Sequence, residues 1–282
     1  MGKQVKIIYD LPGQMCNCLW SYLEFVSWAV LTDSKVYILR WDDSIRFFDN
    51  LRFTPPTYVR FPFYELYLAC GSKIRHKQMI DRICTSAPAM YFFKSKVAKK
   101  LGFVDGWSNR ESDYYFPQVR NLVRTIFKPN EDIVCKINEL FRSKSSDVTI
   151  GVHIRRGDYS SWRDGIYYYS HSEYAEFMRQ LVRLFNGKKV SFFLASNESV
   201  PDFIYEEFEI LRSHDVSAPA DLYGLMCCDL IVGPPSTFSK WAALMSGKPY
   251  HILYKNNEII DSLDSFSTLQ SHTKFSNGLK IW

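Results

Sequence analysis

Two adjacent arginines, Arg155 and Arg156, are the side chains in this chain best suited to binding and stabilising an anion. They lie in the segment HIRRGD at residues 153–158, at the end of the apolar run 148–154. That run predicts a buried strand, because its residues are mostly β-branched and show no apolar–polar alternation. Ligands of open α/β sheets bind just beyond the carboxyl ends of the strands, so both arginines are expected at a site. A guanidinium binds phosphate oxygens through a planar set of donors, although such a pair is also typical of a solvated or salt-bridged surface.

A second group of polar side chains, Ser236 and Thr237, follows the Gly-Pro-Pro turn at residues 233–235. The turn connects a predicted strand at 230–232 to a predicted helix that is closed by Gly247, and either hydroxyl residue is a suitable N-cap. The two residues either cap the helix only, or help to bind a phosphate at its N-terminus, where N–H groups and the helix dipole attract anions. Combined with the arginine pair, they predict two sides of one diphosphate-binding site.

The elements that must position these motifs alternate between strands and helices. Strands are predicted at residues 148–154, 190–195, around 210 and at 230–232, and helices at 170–184, 202–207 and from about 221. Ser170 and Glu173 form a capping-box pattern at the first of these helices. The alternation predicts a mainly parallel sheet that is covered by helices on both faces.

The first half of the chain also begins with alternating strands and helices, but this alternation is not recognisable after residue 41. Residues 5–8 predict a strand, 13–17 a turn, 19–31 an apolar helix and 35–40 a second strand, which is how a Rossmann-like half begins. Residues 42–118 are aromatic-rich and irregular around 54–56, and a helix is predicted at 133–141. We predict an N-terminal domain over residues 1–145 and a C-terminal domain over residues 146–282, with the boundary between 128 and 147.

Composition and charge exclude several classes of protein. Hydrophobic residues make up 46% and aromatic residues 16% of the 282 residues, so the chain can bury a sizeable core in two domains. The net charge of +5 is compatible with an anionic nucleotide-sugar or with peripheral contact with an acidic membrane surface. The basic cluster at residues 94–100 is typical of a solvated helix face. The chain has no dense basic block, which argues against a nucleic-acid partner.

The seven cysteines are scattered, odd in number and without a C-x-x-C motif, which favours a reducing compartment over a disulfide framework. No apolar run approaches the length of a membrane span, and the first predicted strand begins almost at the N-terminus. These features predict a soluble, cytoplasmic protein with no signal peptide or membrane anchor.

The motif His-x-Arg-Arg-x-Asp at residues 153–158 resembles the signature of the α-1,2-fucosyltransferases and, more distantly, that of the α-1,6- and protein O-fucosyltransferases. Residues 114–127 and 221–247 fall where later blocks of the α-1,2 family fall. In this chain the Pro-Pro-Ser-Thr turn stands where the family has Asn-Ser-Ser/Thr. The resemblance implies a GT-B-like glycosyltransferase, in which two Rossmann-like domains face a cleft and the C-terminal domain binds the nucleotide-sugar.

A loop near the N-terminus extends the resemblance. Residues 13–22 are similar to the α-1,2 family's Gly-Gly-Leu-Gly-Asn-Gln-Met-Phe-Gln-Tyr, with matches at Gly13, Asn17 and Tyr22. We predict that Gly13 and Asn17 belong to a loop on the acceptor side of the cleft. Cys16 stands where the family has a glycine and Cys18 where it has a glutamine.

The resemblance implies roles for three further residues. His153 is expected in the nucleotide site, with a structural histidine as the alternative. In the α-1,6 enzymes the aspartate that matches Asp221 contacts the guanine of the donor. A carboxylate can accept two hydrogen bonds from the N1 and N2 edge of guanine, which uracil cannot offer. The alternative for Asp221 is a purely structural acid, either the N-cap of a helix or an acid of its first turn.

The catalytic base is predicted to be Asp164, in the turn at residues 162–165. A base must lie near the sugar end of the donor, and a glutamate of the α-1,6 enzymes falls close to this position. The alternatives are that Asp164 forms an exposed Asp-Gly turn and the base is an acid of the first domain (Asp10, Glu24, Asp42 or Asp43), or that no side chain is the base.

Absent motifs narrow the chemistry further. The chain has no Gly-x-Gly-x-x-Gly, no P-loop and no Gly-x-Ser-x-Gly, which argues against dinucleotide oxidoreductases, P-loop ATPases and α/β-hydrolases. It also has no Asp-x-Asp, so we predict no metal ion and no cofactor besides the donor substrate. Without a metal, Arg155, Arg156 and the helix N-terminus at 236–237 must neutralise the departing diphosphate.

Taken together with these observations, the resemblance implies an inverting, metal-independent transfer of L-fucose from GDP-fucose to a hydroxyl of a glycan acceptor. Two alternatives stay open. The same fold can use another nucleotide-sugar and transfer, for example, xylose, galactose or rhamnose. The chain can also be a non-catalytic relative that binds glycans or nucleotides, an alternative favoured by the departures at Cys16 and Cys18.

Overall fold

The computed structural model describes residues 4–53, 58–111, 113–213, 217–254, 258–272 and 274. The chain forms two compact units, Met1–Asn130 and Glu131–Trp282. The division lies inside the predicted interval of 128 to 147, but it places the helix at 131–142 in the second unit rather than in a first domain that ends at residue 145. The irregular segment predicted at 54–56 lies outside the described residues.

The first unit is built on a parallel sheet of four strands in the order β3-β2-β1-β4. The strands are β1 (Val5–Ile8), β2 (Lys35–Ile38), β3 (Val59–Arg60) and β4 (Phe103–Val104). The helices are α1 (Met15–Thr32), α2 (Asp49–Phe53), α3 (Pro62–Ala69), α4 (Ile74–Thr85), α5 (Ala87–Lys94), α6 (Lys96–Lys100) and α7 (Tyr115–Ile126).

The region 42–118 contains short helices where the sequence showed no pattern. Ser86 caps α5 and Ser95 caps α6, and each of these helices spans only two turns or fewer. A helix this short contains too few residues for its apolar spacing to be recognised. By contrast, the predicted α1 is found, and it begins at Met15 instead of residue 19 because its first turns are already buried.

The second unit contains a six-stranded sheet in the order β10-β9-β8-β5-β6-β7. The strands are β5 (Val148–Ile154), β6 (Val190–Ser196), β7 (Glu209–Leu211), β8 (Leu230–Gly233), β9 (Pro249–Ile252) and β10 (Ser267–Thr268). The helices are α8 (Glu131–Arg142), α9 (His171–Leu184), α10 (Asp202–Tyr205), α11 (Ala218–Cys227) and α12 (Thr237–Ser246). All strand pairs are parallel except β9 with β10, which confirms the prediction of a mainly parallel sheet.

Local signals in the sequence define most of these boundaries. The capping box of Ser170 and Glu173 is present at the start of α9. Helix α11 begins three residues before the predicted position, because Ser217 caps it and a proline occupies its first turn. Asp221 therefore lies in the first turn of α11 and is not its N-cap.

Strand β5 lies where the direction of chain winding reverses. From β5 the chain continues to β6 and β7 on one side, and then returns to form β8 on the other side of β5. Every residue of β5 is buried, and Val152 is in register with Val232. Ligands of such sheets bind outside the carboxyl ends of the strands at the point of reversal, which here lies between the loops after β5 and β8.

None of the helices in the described part of the chain combines the length and the apolar character needed to cross a bilayer.

Candidate functional site

The loops after β5 and β8 are joined by a buried hydrogen bond. The Tyr159 hydroxyl donates to the carbonyl of Pro235 at 2.6 Å, and the Tyr250 hydroxyl donates to the carbonyl of Pro234 at 3.1 Å. Proline supplies a carbonyl but no N–H, and a buried carbonyl needs a donor. The two tyrosines therefore fix the Gly-Pro-Pro turn beside the arginine-bearing loop.

A glycine allows the two strands to approach closely at this point. A Cβ on Gly233 would lie 2.8 Å from the Cβ of His153 and 3.0 Å from its carbonyl oxygen. Any larger residue would push β8 away from β5, so the spacing of the two loops depends on this glycine.

The Arg155 side chain is 21% exposed, has one ion-pair partner and keeps most of its donors. Its Nη2 donates to Asp158 at 2.8 Å, and its guanidinium lies 5.6 Å from the centroid of the Tyr159 ring. Asp158 is the one side-chain acceptor of this guanidinium among the described residues, and the carboxylate is itself largely exposed. Because a guanidinium carries five N–H groups, Arg155 can still bind an anion at the end of β5.

Arg156, by contrast, is committed to protein partners. Its Nε donates to Glu198, one Nη donates to the Tyr169 carbonyl at 2.7 Å, and the other donates to the Tyr168 hydroxyl. The guanidinium also lies over the Tyr168 ring, 4.5 Å from its centroid. The two adjacent arginines therefore differ in their contacts: Arg156 is hydrogen-bonded to three protein groups, whereas Arg155 keeps donors that a ligand can use.

Asn197 and Glu198 are part of this arrangement, although the sequence analysis assigned them no role. The Asn197 Oδ1 accepts from the backbone N–H of Arg156 at 2.9 Å, and Glu198 lies 3.3 Å from Nε2 of His171 as well as against Arg156. Both residues directly follow β6. Polar residues at the carboxyl end of the strand next to β5 were the available signal.

His153 supports the site as a neutral group. It is buried, its Nδ1 lies 3.2 Å from the Ser239 hydroxyl, and its ring stacks on Phe238 with 5.0 Å between centroids. Burial, and then the neighbouring Arg155, lower the pKa of His153 to about 3. The imidazole is therefore uncharged at physiological pH, and it contacts the first turn of α12.

The hydroxyl residues lie where they were predicted, at the start of α12. Ser236 is the N-cap and accepts from the backbone N–H of Phe238 at 3.2 Å, while Thr237 is the first helical residue. Gly247 ends the helix in the left-handed conformation, with φ of 72°. The positive end of the α12 dipole therefore lies beside the loop that carries Arg155.

Asp221 lies at the carboxyl edge of the same sheet, in a largely desolvated position. Burial raises its pKa to about 7, and a hydrogen bond from the backbone of Ser196 at the end of β6 opposes this rise. A carboxyl group that is half protonated near neutral pH, at the sheet edge where ligands bind, is typical of a functional site.

Asp164 lies in an exposed turn. Arg163 and Asp164 both have the left-handed backbone conformation, with φ of 50° and 59°, and Gly165 follows with φ of 73°. This is the Asp-Gly turn expected under the structural alternative. The Trp162 ring packs on Tyr159, 4.7 Å between centroids, so the turn is attached to the loop that holds the site.

Gly13 and Asn17 lie in the first unit, but only Gly13 is in a loop: α1 begins at Met15, so Asn17 is in the first turn of the helix and the turn predicted at 13–17 is shorter than expected. The Asn17 side chain donates to the Pro12 carbonyl at 3.2 Å, and the Cys18 thiol donates to the Gly13 carbonyl at 3.4 Å. Cys16 and Cys18 are both buried, and burial followed by the Asp42 charge raises the pKa of Cys18 to about 12. The Cys18 thiol is thus uncharged, and both cysteines fill interior space as small side chains.

Two acids of the first unit, Asp10 and Glu24, have pKa values that are raised mainly by burial. Asp10 follows β1, and its two oxygens accept the backbone N–H groups of Gly106 and Trp107 at 2.7 and 2.9 Å; burial raises its pKa. Burial, and then the Asp113 charge, raise the pKa of Glu24 to about 7. Asp10 is therefore engaged in joining two loops. Glu24 lies within the helix α1, away from its ends.

No group of three or more His, Cys, Asp or Glu side chains within the described ranges is arranged to hold a metal ion.

The chain is similar to known glycosyltransferases in sequence profile and in fold. The profile of glycosyl transferase family 11 matches residues 90–268. The fold is similar to the fucosyltransferase NodZ from Bradyrhizobium, with 17% identity, a TM-score of 0.54 and coverage of 90% of this chain and 96% of that chain. POFUT1 in complex with GDP-fucose has 13% identity, a TM-score of 0.57 and coverage of 86% and 93%. No curated protein sequence matches the chain significantly.

An Arabidopsis thaliana FUT1 mutant in complex with GDP also matches, with 16% identity, a TM-score of 0.53 and coverage of 95% of this chain and 74% of that chain. At these identities the structural matches establish the fold alone. They confirm the predicted class, an α/β fold of the GT-B type.

We predict that the two arginines differ in their effect on stability. Arg156→Ala should lower the free energy of unfolding by about 2 kcal/mol, because it removes several charged hydrogen bonds and leaves Glu198 without its guanidinium. Arg155→Ala should change the melting temperature by no more than about 2 °C, because Arg155 has one exposed partner. Thermal unfolding of both variants tests this difference.

A double variant provides the control. Glu198→Gln in the Arg156→Ala background should recover part of the lost stability, because it removes the carboxylate that has lost its partner. Equal melting temperatures for Arg155→Ala and Arg156→Ala would contradict the conclusion that Arg156 stabilises the loop and Arg155 does not.

Proposed function

This chain belongs to glycosyl transferase family 11, and we propose that it transfers L-fucose from GDP-fucose to a hydroxyl group of a glycan acceptor. Family membership confirms the predictions that it resembles this superfamily and that it is a glycosyltransferase. Solved relatives with GDP or GDP-fucose bound include NodZ and POFUT1, which supports GDP-fucose as the donor.

The observation that carries the proposal is the position of Arg155 opposite the N-terminus of α12. Both lie at the reversal point of the second sheet, and Tyr159 fixes the distance between their loops. A guanidinium with unused donors and a helix N-terminus are suited to the two phosphates of a nucleoside diphosphate. In this proposal Ser236 and Thr237 bind phosphate with the helix terminus, while His153 and Arg156 hold the site in shape.

The proposed reaction is a single displacement. The acceptor oxygen forms a bond to C1 of fucose while the bond from C1 to the β-phosphate oxygen breaks, and the electron pair of that bond leaves with GDP. One such displacement inverts the configuration at C1. Arg155 stabilises the charge that develops on the β-phosphate, and a base accepts the proton of the acceptor hydroxyl.

We assign the neutralisation of the leaving diphosphate to protein groups, without a metal ion. Arg155 and the α12 dipole supply positive charge that is positioned before the reaction begins. The sequence lacks the Asp-x-Asp pair that holds a metal in many glycosyltransferases.

Asp221 is proposed to recognise the guanine base, and the segment containing Gly13 and Asn17 to serve the acceptor. The non-catalytic alternative loses its main support, because Cys16 and Cys18 replace family residues at buried positions of α1 and not at exposed ones. The alternative that the donor is another nucleotide-sugar is tested by measuring transfer and hydrolysis with a panel of GDP-, UDP- and dTDP-sugars. Faster turnover of a sugar other than fucose would replace the proposed donor.

The first prediction tests the phosphate site. Arg155→Ala should lower kcat/KM by 10²-fold or more, because loss of one such contact costs about 3 kcal/mol in the transition state. Arg155→Lys should restore little, since a point charge cannot make two parallel hydrogen bonds to phosphate. Steady-state kinetics with GDP-fucose measure both variants. Near-normal turnover in folded Arg155→Ala would contradict the assignment.

A second prediction concerns pH and the nucleotide base. Burial raises the pKa of Asp221 to about 7, above its value in the unfolded chain, so the free protein carries a neutral acid at pH 6 and a carboxylate at pH 8. Guanine offers two donors and therefore binds the carboxylate better. The ratio of GDP affinity to UDP affinity should rise about tenfold from pH 6 to pH 8 and should exceed tenfold at pH 8.

Calorimetry with GDP and UDP measures this ratio, in which the titration of the terminal phosphate cancels because both nucleotides share it. Asp221→Asn keeps the size of the side chain but presents an amide N–H₂ to the base, so it should abolish both the preference and its pH dependence. If UDP binds as tightly as GDP at pH 8, Asp221 does not select guanine, and the alternative of another nucleotide-sugar donor is favoured.

Metal independence gives a third prediction. After dialysis against EDTA, transfer activity should stay within about twofold of the untreated protein, because protein cations neutralise the leaving group. Addition of Mg²⁺ or Mn²⁺ should then change little. An absolute requirement for either ion would show that the charge of the diphosphate is neutralised in another way.

The fourth prediction tests Asp164 as the base. Asp164→Asn and Asp164→Gly both tolerate the left-handed turn, so either change removes the carboxylate while the backbone conformation is kept. Turnover should fall by about 10²-fold or more in both variants, with unchanged affinity for GDP. A decrease smaller than about threefold would assign the role to an acid of the first unit or to no side chain.

A further inference from the structure

Exposed apolar side chains are concentrated in residues 62–101 of the first unit, the segment that holds helices α3 to α6. Nine of the nineteen large apolar side chains that are exposed in the described part of the chain lie here, although the segment is a small part of its length. Tyr91 and Ile74 are 83% and 73% exposed. Scattered apolar residues need no explanation, but a concentration of this kind marks a surface with a partner.

Helix α4 presents one apolar and basic face. Ile80 and Cys84 are buried, and they face the rest of the unit. Met79 and Ile83 are exposed and one turn apart, on a face about 100° around the helix from the buried one. Arg75 lies one turn before Met79 and is also exposed. The outer face of α4 therefore combines cations with unpartnered aliphatic side chains.

The next two helices continue this composition. Helix α5 buries Phe93 and exposes Tyr91, and helix α6 buries Ala98 and exposes Val97. Helix α4 packs against α5, and α5 against α6. The lysines of this part, all exposed, are Lys94, Lys96, Lys99 and Lys100.

The segment is also the most basic part of the chain. Residues 62–101 contain eight Lys and Arg against two acids, a net charge of +6, whereas the whole chain has a net charge of +5. Lys77 pairs with Asp43 at 2.6 Å. The other seven cations have no carboxylate partner among the residues that the structure describes. Their charge is therefore available to an external anion.

The positive charge of residues 62–101 and their exposed apolar side chains together distinguish between three possible partners. A second copy of the segment would bring two surfaces of +6 together, which like-charge repulsion opposes. Nucleic acid would match the charge but would leave the aliphatic side chains without contacts, since such interfaces are largely polar. An anionic bilayer matches both properties, because its headgroups attract lysines and its acyl boundary accepts apolar side chains.

We propose that the outer faces of α4, α5 and α6 dock on a membrane surface that contains anionic lipid. The long apolar stems of the lysines extend along the interface while their ammonium groups reach the headgroups. Tyr91 has the amphipathic ring that is typical of the interfacial region. This contact is peripheral, and it does not depend on the identity of the sugar donor.

Vesicle sedimentation tests the proposal with the full chain. The protein should pellet with vesicles of phosphatidylcholine that contain about one third phosphatidylglycerol, and not with phosphatidylcholine alone. Binding should weaken as salt is raised, because the headgroup attraction is screened over a Debye length of about 8 Å at physiological ionic strength. No pelleting with the anionic vesicles would overturn the proposal.

Matched variants locate the contact. A triple change of exposed lysines to Gln should lower the partition coefficient at least tenfold, since each lysine near an anionic bilayer contributes about fivefold. The test set is Lys96→Gln, Lys99→Gln and Lys100→Gln, and the control set is Lys35→Gln, Lys188→Gln and Lys189→Gln. The control set should bind within about twofold of the unchanged protein. Equal losses in the two sets would mean that net charge alone, and not this surface, determines binding.

Apolar variants provide an independent readout. Ile83→Ser with Tyr91→Ser should weaken the binding that remains at high salt, and Phe203→Ser with Ile259→Ser, at exposed positions of the second unit, should not. Melting temperatures of all variants verify folding, which the exposure of these side chains should leave unchanged. A shift from dimer to monomer in the test variants, without any vesicle binding by the unchanged protein, would identify a second copy as the partner instead.

Discussion

The close approach of β5 and β8 is the constraint on which the candidate site depends. The two strands are neighbours only because the chain returns past β5 after forming β6 and β7, and Gly233 lets the backbone of β8 lie against His153. Their loops then leave the sheet side by side, where the Tyr159 hydroxyl joins them through the Pro235 carbonyl. An anion at this point meets a strand-end cation on one side and a helix N-terminus on the other, without either loop having to move.

Electrostatic stabilisation of a transition state requires charges that are already oriented. In the proposed function the two neighbouring arginines meet this requirement in different ways. Arg156 donates hydrogen bonds to Glu198, to the Tyr169 carbonyl and to the Tyr168 hydroxyl. The bond to Glu198 connects the loop after β5 to the loop after β6. Arg155 is thereby held on a rigid loop while most of its own donors remain unused. A site with two loosely held arginines would have to order both of them when the donor binds, at a cost in entropy for each side chain.

The sequence was sufficient where local patterns determine structure. Strand β5, the capping box of α9 and the Ser236 N-cap of α12 follow from residues adjacent in the chain, and all three were predicted. The reversal of strand order could not be read in the same way, because it depends on which distant strands pair. The difference between Arg155 and Arg156 also escaped prediction, since it arises from acceptors 12 to 42 residues further along. Helices α5 and α6 were missed because they are too short to show periodicity, whereas α4 was missed although its twelve residues are enough to show it.

The net charge of +5 is the sum of a positive first unit and a negative second unit. It therefore does not describe the unit that holds the candidate site. Residues 131–282 carry sixteen Lys and Arg against nineteen acids, a net charge of −3, so the unit that holds the candidate site does not attract an anionic donor through its overall charge. In the proposed function, donor binding rests on Arg155 and the α12 terminus, whose effect is local and partly protected from screening. The positive excess belongs to the first unit, where residues 62–101 account for most of it. The net charge was compatible with an anionic nucleotide-sugar or with an acidic membrane surface. In the proposed function, the nucleotide-sugar binds to the loops after β5 and β8 and does not need the excess charge. The excess charge itself is explained by a surface that meets anionic lipid.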